Sequence, residues 1–487
     1  MENTARKLEL HTPAKVVGHI NLAPQASPTP EPVPEHPEVD DFLDGRVSPD
    51  WQGDLVRREY DRTLAEIAEL QAENRWEDIV ALFHPCEEKL PELIDAGLDG
   101  DVRVKVSFAL CKTKRHEEAI ASLQKVVARD SRNSLAHYSI GYAVLDFFFQ
   151  ARTLRTIVPV KRKEELIALG HRHFDKAIAL RPESVTYNYR HAVLYKDIED
   201  KPKPAVPLFR QAIANWRGLS VEDQQRCHQQ RPKYIKSLYH LASCLLKLDK
   251  ARESLTVLGQ VLDEDGERHH MHPLFKHFAM GKVLHALGRY DESLQHLETA
   301  AHLAERGQAT DFVWELAARG ALCLGKLDRA TACINRIEPS RRRAYVRWTE
   351  ADILFALGRR KEALKVLEQS ASVDRRTRHK ALMRICRIQL SLGELTRALE
   401  ATRAAVRFCV DSFGNPPKEG RFWEAVCLYR LGRHGEALPI VEELERQQYH
   451  CPQFARLGHL VRNPQAVAGP SGQTGGSRPP AAMQALL

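Results

Sequence analysis

The chain has 487 residues, 43% of them hydrophobic, with 72 Lys or Arg against 64 Asp or Glu and a net charge of +8. That content supports a large buried interior, and such a length implies roughly three ordinary domains or one linear repeat. No run of about 18 apolar residues occurs, so no segment reads as membrane-spanning, and the start of the chain lacks the apolar stretch of a secretory signal.

Residues 1–50 come first and are rich in Pro and acid. From Glu31 to Asp50 there are seven Asp or Glu and one Arg, a balance of −6, which predicts a disordered segment. Its DDFLDG stretch sets Phe42 and Leu43 among Asp40, Asp41 and Asp44. Helical patterns follow from about residue 58. In residues 60–97 only NRWEDIVAL reads as a turn leading into an apolar helix, and residues 102–131 carry Ala119, Ile120 and Leu123 at helical spacing. Residues 147–166, FFFQARTLRTIVPVKRKEEL, read as a basic insertion, aromatic at one end and broken at Pro159. Ala177 and Pro182 close one helix. Ala192, Tyr195, Ala205, Phe209 and Ala212 mark the next pair, and Leu248-Asp249 marks another turn.

From residue 274 the pattern sharpens. Leu-Gly pairs end at Gly288, Gly325, Gly358, Gly393 and Gly432, stepping by 37, 33, 35 and 39 residues. Five positions after each glycine stands a small residue: Ser293, Ala330, Ala363, Ala398 and Ala437. Seven positions before each stands another: Gly281, Ala318, Ala351, Cys386 and Ala425. Two helices of about 12–14 residues, joined by a Gly turn and touching through small side chains, account for this. The last residues, 461–487, read as a flexible Gly- and Pro-rich tail.

These residues resemble the tetratricopeptide repeat, a helix–turn–helix unit of 34 residues. With the weaker upstream matches, ten such units span residues 58 to 450, divergent over 58–264 and clearer over 274–450. The resemblance implies an all-α, right-handed superhelical solenoid across residues 51–460, flanked by the segments 1–50 and 461–487. It also implies close packing of the first helix on the second at the small residues, and a concave groove lined by the first helices.

Several motifs invite an enzymatic reading and fail it. Gly320-Ala-Leu-Cys-Leu-Gly325-Lys326 approaches a P-loop, but Leu327 stands where a hydroxyl is needed and no strand precedes it. His269, His270, His272 and His277 offer nitrogen ligands, although no Cys or carboxylate is placed beside them; a solvated loop is the simpler reading, and no metal or other cofactor is assigned. His171 and His173 are read as solvent-facing. No nucleophile-and-base motif appears, so the chain reads as a non-enzyme. The ten cysteines run from Cys86 to Cys451 without a C-x-x-C pair. They predict free thiols in a reducing cytoplasm.

Transferring the family's groove positions through the Gly turns gives Tyr189, Arg190, Lys236, Tyr239, Phe278, Lys282, Arg319, Tyr345, Trp348, Lys380, Arg384, Arg387 and Trp423. This set is aromatic and cationic, with Glu315, Asp352 and Glu419 as the few acids. Residues 341–407 alone hold 17 Lys or Arg and seven Asp or Glu, a balance of +10. Arg beside Trp and Tyr is the composition of interface hot spots. The expected function is a protein-interaction scaffold binding an acidic, partly hydrophobic peptide or partner protein. RNA or single-stranded DNA, held by phosphate neutralisation and base stacking, is the alternative. The chain's own segment 33–46 has the chemistry to compete weakly for the same groove.

Overall fold

The structure, a computed structural model, describes residues 51–463. The acidic segment 1–50 and the tail beyond residue 463 lie outside the described residues. Every regular element among the described residues is helical. Two compact units divide the chain, one running to Arg289 and taking in His302–Ala309, the other taking Tyr290–Ala301 and everything from Thr310 onward.

The first unit holds α1 (Trp51–Ala72), α2 (Trp76–Phe83), the short α3 (Cys86–Lys89) and α4 (Pro91–Asp95), α5 (Asp99–Lys112), α6 (His116–Arg129), α7 (Ser134–Thr153) and α8 (Val160–Leu180). It continues with α9 (Val185–Val193), a π-helical turn (Leu194–Ile198), α10 (Pro202–Gly218), α11 (Val221–Arg226), α12 (Arg231–Lys247), α13 (Ala251–Asp265) and α14 (Pro273–Ala286). The second unit holds α15 (Tyr290–His302), α16 (Asp311–Cys323), α17 (Leu327–Asn335), α18 (Ala344–Ala356), α19 (Arg360–Val373), α20 (Arg378–Leu392), α21 (Leu395–Phe413), α22 (Lys418–Arg430), α23 (His434–Arg446) and α24 (Phe454–Arg462).

The turns explain why these helices come in pairs. At Gly358 the backbone is left-handed (φ +77°), and the N–H of Arg359 donates back to the Leu354 carbonyl at 2.8 Å. Gly325 (φ +70°) is closed in the same way, by Lys326 N–H on the Ala321 carbonyl at 2.9 Å. This Schellman arrangement satisfies carbonyls that the ending helix leaves open. It also points the chain back along the helix just completed.

The small residues on either side meet as expected. Ala318 and Ala330, Ala351 and Ala363, Cys386 and Ala398, and Ala425 and Ala437 are all fully buried. Side chains of this size let two backbones approach closely, and larger residues elsewhere on the stripe fill the remaining core. In the second unit Leu367, Ile385, Leu390, Val426 and Leu444 do so. Burying each such side chain contributes roughly 1.5–3 kcal/mol.

Two divergent turns of the first unit obey the same offsets without glycine. Lys114 (φ +66°) and Asp249 (φ +60°) occupy the left-handed position. Seven residues before and five after Lys114 stand Ser107 and Ala119; for Asp249 they are Ala242 and Ser254. Here the small residues bond across the helix pair. Ser254 Oγ donates to the Ala242 carbonyl at 2.7 Å, and Ser107 Oγ to the Ala119 carbonyl at 3.3 Å.

Residues 147–166 are not the surface insertion they resemble. Phe147–Thr153 end α7 and Val160–Leu166 begin α8, leaving only residues 154–159 as a link. The extra length goes into two long helices, of 20 and 21 residues. Phe148 and Leu166 are buried in the first unit's core. The large apolar side chains left exposed here are Leu154 and Ile157 in the link and Val160 at the start of α8.

Candidate interaction surface

The thirteen predicted groove residues divide between the units, six in the first and seven in the second. In the second unit they sit on α16, α18, α20 and α22, the first helices of successive pairs. Trp348 on α18 is 8% exposed and has two cations against its ring. Lys380 Nζ lies 5.5 Å from the ring centroid and the Arg384 guanidinium 5.3 Å from it. The face of an indole carries negative charge density, which attracts both. Arg384 also donates through Nε to Asp352 Oδ2 at 3.2 Å, so its guanidinium is held in place by α18. Burial lowers the proton affinity of Lys380, and the Arg384 charge adds to that. Arg387 is exposed, one turn further along α20. Neither Lys380 nor Arg387 forms an ion pair among the described residues.

A polar ladder ties the first helices together. Tyr345 OH on α18 donates to Asp311 on α16, and Thr349 Oγ1 donates to Glu315 Oε1 at 2.6 Å. Asp352 to Arg384 then carries the ladder from α18 to α20. Partners are 32 to 34 residues apart, one repeat each time. Arg319 lies 3.9 Å from Glu315. Burial raises the Glu315 carboxyl above the usual range, opposed by the Arg319 charge and the Thr349 bond. Trp423 on α22 is half-buried against the same core, its ring 5.3 Å from Phe422.

The first unit distributes its residues differently. Tyr189 is a core residue rather than a surface one, 6% exposed and packed against Phe209 at 6.2 Å. Arg190 covers the Tyr142 ring at 5.2 Å. Lys236, Tyr239, Phe278 and Lys282 are half-buried. Burial pushes the Tyr239 hydroxyl up to about 12, with the Asp197 charge adding to the shift. Sequence reasoning missed the aromatic stack formed by Phe108 on α5 and Tyr142 on α7, 5.9 Å apart, with Lys112 over Phe108 at 5.1 Å. The signal was present in the i, i+4 spacing of Tyr138 and Tyr142. It was passed over because the earlier turns lack glycine and so conceal the phase. Asp311 and Thr349 were also missed, because neither is aromatic or cationic.

One of the candidate metal ligands is otherwise engaged. His272 caps α14 through Nδ1, which accepts from Leu274 N–H at 3.2 Å, and its Nε2 faces Glu305 at 3.2 Å. Among the described residues no three His, Cys, Asp or Glu side chains converge as a metal cage. His171 and His173 do not face solvent as expected; His173 is 8% exposed and both are hydrogen-bonded to other histidines. The ten cysteines are free thiols, with Cys386 and Cys427 Sγ 3.9 Å apart. Among the described residues no helix is long and apolar enough to cross a membrane.

No family model matches the chain, and no curated protein matches it in sequence. Solved structures resemble it in part. A tetratricopeptide repeat protein from Parabacteroides merdae shares 15% identity at a TM-score of 0.38, covering 56% of this chain and 93% of that one. The pilF protein of Pseudomonas aeruginosa shares 14% at 0.34, covering 48% and 89%. The Cut9–Hcn1 hetero-tetramer of the APC/C shares 10% at 0.37, covering 82% and 96%. By its own turn and small-residue geometry, the chain is an all-α protein of helix–turn–helix pairs similar to the tetratricopeptide repeat.

Proposed function

We propose that the chain is a non-catalytic protein-interaction scaffold, and that the first-helix face of its second unit grips an acidic, partly hydrophobic peptide or partner protein. The observation that carries this is the Trp348 station. Two cations lie over one buried indole, and one of them is fixed by a carboxylate on the neighbouring helix. Trp348 serves as a floor under Lys380 and Arg384 rather than as an open contact. An incoming carboxylate meets cations already oriented, which reduces the ordering cost of binding. Apolar side chains of the partner have Tyr345, Phe355 and Trp423, all only partly buried, to pack against.

Single-stranded nucleic acid is the second candidate, and the same face disfavours it. Asp311, Glu315 and Asp352 stand among the cations, where a continuous phosphate backbone would meet like charge. A peptide carrying a few acids can avoid them. Reducing conditions, as in cytoplasm, belong to the same proposal, since the thiols are unbridged.

A labelled peptide with the sequence of residues 33–46 serves as an acidic, partly apolar probe. Titrated with the full chain at low salt, it should bind, and Arg384→Glu with Arg387→Glu should weaken binding about tenfold or more. A single-stranded oligonucleotide that binds more tightly, with a steep salt slope, would replace the peptide proposal with the nucleic-acid one. No binding of the peptide at millimolar concentration would sink the acidic-peptide reading.

A further inference from the structure

The link between α7 and α8 gathers two kinds of side chain that a folded chain ordinarily hides or pairs. Leu154 is 57% exposed, Ile157 91% and Val160 72%. Residues 152–163 also hold Arg152, Arg155, Lys161, Arg162 and Lys163, and no Asp or Glu. Arg162 is engaged, 2.6 Å from Glu117 and 3.7 Å from Glu165. The other four cations are exposed and form no ion pair among the described residues.

The flanking helices make this link a projection. Gln150 Nε2 donates to the Cys111 carbonyl at 3.1 Å, so that turn of α7 stands level with the end of α5. Arg162, near the start of α8, reaches Glu117 on the first turn of α6. Residues 151–161 therefore run past the turn that joins α5 to α6. Their backbone is ordered by local bonds. Arg155 is left-handed (φ +55°), and Thr156 N–H donates to the Ala151 carbonyl at 2.8 Å. Since α7 and α8 pack side by side, a link this short keeps its three apolar side chains on one small tip. Phe148 and Leu166, further back on the two helices, hold its base in the core. The nearest acids, Glu117, Glu164 and Glu165, lie on α6 and along α8, behind the tip.

Charge selects an anionic partner for this tip, and shape selects among anionic partners. A peptide buries its apolar side chains in a groove, and at 91% exposure Ile157 has no wall of the chain beside it. Single-stranded nucleic acid would use the cations, but its bases stack on aromatic rings, and the exposed apolar residues here are all aliphatic. The interfacial layer of a bilayer surrounds a protruding side chain on every side. Where its lipids are anionic, it also attracts the cations beside that side chain.

We propose that the α7–α8 tip docks on an anionic phospholipid surface. Leu154, Ile157 and Val160 enter the headgroup layer, while Arg152, Arg155, Lys161 and Lys163 meet lipid phosphates. Three aliphatic side chains fall far short of a permanent anchor, so the docking is reversible and weakens as salt rises.

Sedimentation of the full chain with vesicles tests this. At about 0.1 M salt, vesicles of phosphatidylcholine containing about one-third phosphatidylserine should bind the chain more than about tenfold better than phosphatidylcholine alone. Each cation near such a surface contributes about fivefold, so Lys161→Gln with Lys163→Gln should weaken binding about tenfold or more. Leu154→Ser with Ile157→Ser should also weaken it, by about tenfold. These side chains are exposed, so the circular dichroism and thermal midpoint of both variants should match the parent. No binding to the anionic vesicles, or binding that neither variant weakens, overturns the proposal. Weakening by the lysine pair alone, with the Leu154 and Ile157 pair silent, would mean charge attraction without insertion and overturns it too. Loss of binding of the peptide of residues 33–46 in the link variants would assign the tip to an acidic peptide instead.

Discussion

The two units build the same turn from different residues. The second places glycine at the left-handed position in Gly325, Gly358, Gly393 and Gly432, while the first uses Asn74, Lys114, Asp200 and Asp249 before it reaches glycine at Gly288. A non-Gly residue there costs roughly 1–2 kcal/mol, less for Asn and Asp, whose side chains suit that region. The first unit offsets this with interhelical Ser-to-carbonyl bonds at Ser107 and Ser254, where the second has apolar small-residue contacts. Two chemistries therefore satisfy one geometric requirement. What recurs at Lys114 and Asp249, as at the glycine turns, is a small residue seven before and five after the turn; at Asn74 those positions hold Ile67 and Ile79, and at Asp200 Val193 and Ala205.

Overpacking is the strongest way to break that equivalence. Ala363→Trp and Ser254→Trp should each destabilise their own unit by about 1–3 kcal/mol or more. Denaturation monitored by exchange in each unit checks this; a silent Ser254→Trp would show that the divergent pairs are not built alike.

The turn residues give the next effect. No atom stands near an added Cβ at Gly358, so Gly358→Ala should cost about 1–2 kcal/mol from backbone strain alone. Lys114→Gly relieves that strain but gives freedom to the unfolded chain, and a change within about 0.5 kcal/mol is expected. Equal losses at both positions in thermal melts would contradict the comparison.

A smaller effect belongs to the ion pair beyond the Lys114 turn. The Arg115 hydrogen bonds hold the Glu118 carboxyl down at about 2, and its side chain is 46% exposed. Its contribution is present above the unfolded value near 4.3 and is lost as pH falls through about 2. Solvent screening limits Glu118→Gln to about 0.5 kcal/mol at neutral pH. A urea midpoint shift much beyond that would mean the turn depends on the pair.

Removing residues 1–50 should change least: the thermal midpoint stays nearly constant, while binding of the peptide of residues 33–46 strengthens slightly as a competing segment is lost. A large drop in midpoint would make the segment a structural cap.

The helix pairs of the second unit were legible because a glycine marks each turn and sets the phase for the residues around it. Upstream, Leu248-Asp249 was recognisable, but Lys114 was not, since lysine carries no preference for left-handed backbone. The aromatic stack of Phe108 and Tyr142 stayed hidden for that reason. At the site, Lys380, Arg384 and Arg387 were assigned from their position on the first helix, and the structure sets the first two on Trp348. Tyr189 was misassigned because a first helix also has a face toward its own partner, and residue type alone does not separate the two. The histidine pairs were beyond reach. Each joins residues 20 or 36 apart, and only the packing of three helices brings them within bonding distance.

The helix α24 has a consequence for where the array stops. It lays Leu457, Leu460 and Val461, all buried, along the last pair, and Arg462 pairs with Glu445 at 2.6 Å. Stacked pairs present at each end the apolar stripe that would receive the next pair, and a terminal element with a polar outer side closes it. Without α24 that stripe on α22 and α23 would be open to the same stripe of another chain. The outcome would be tail-to-tail pairing of two chains, its population rising with concentration. α24 thus keeps the last pair from serving as a dimer contact.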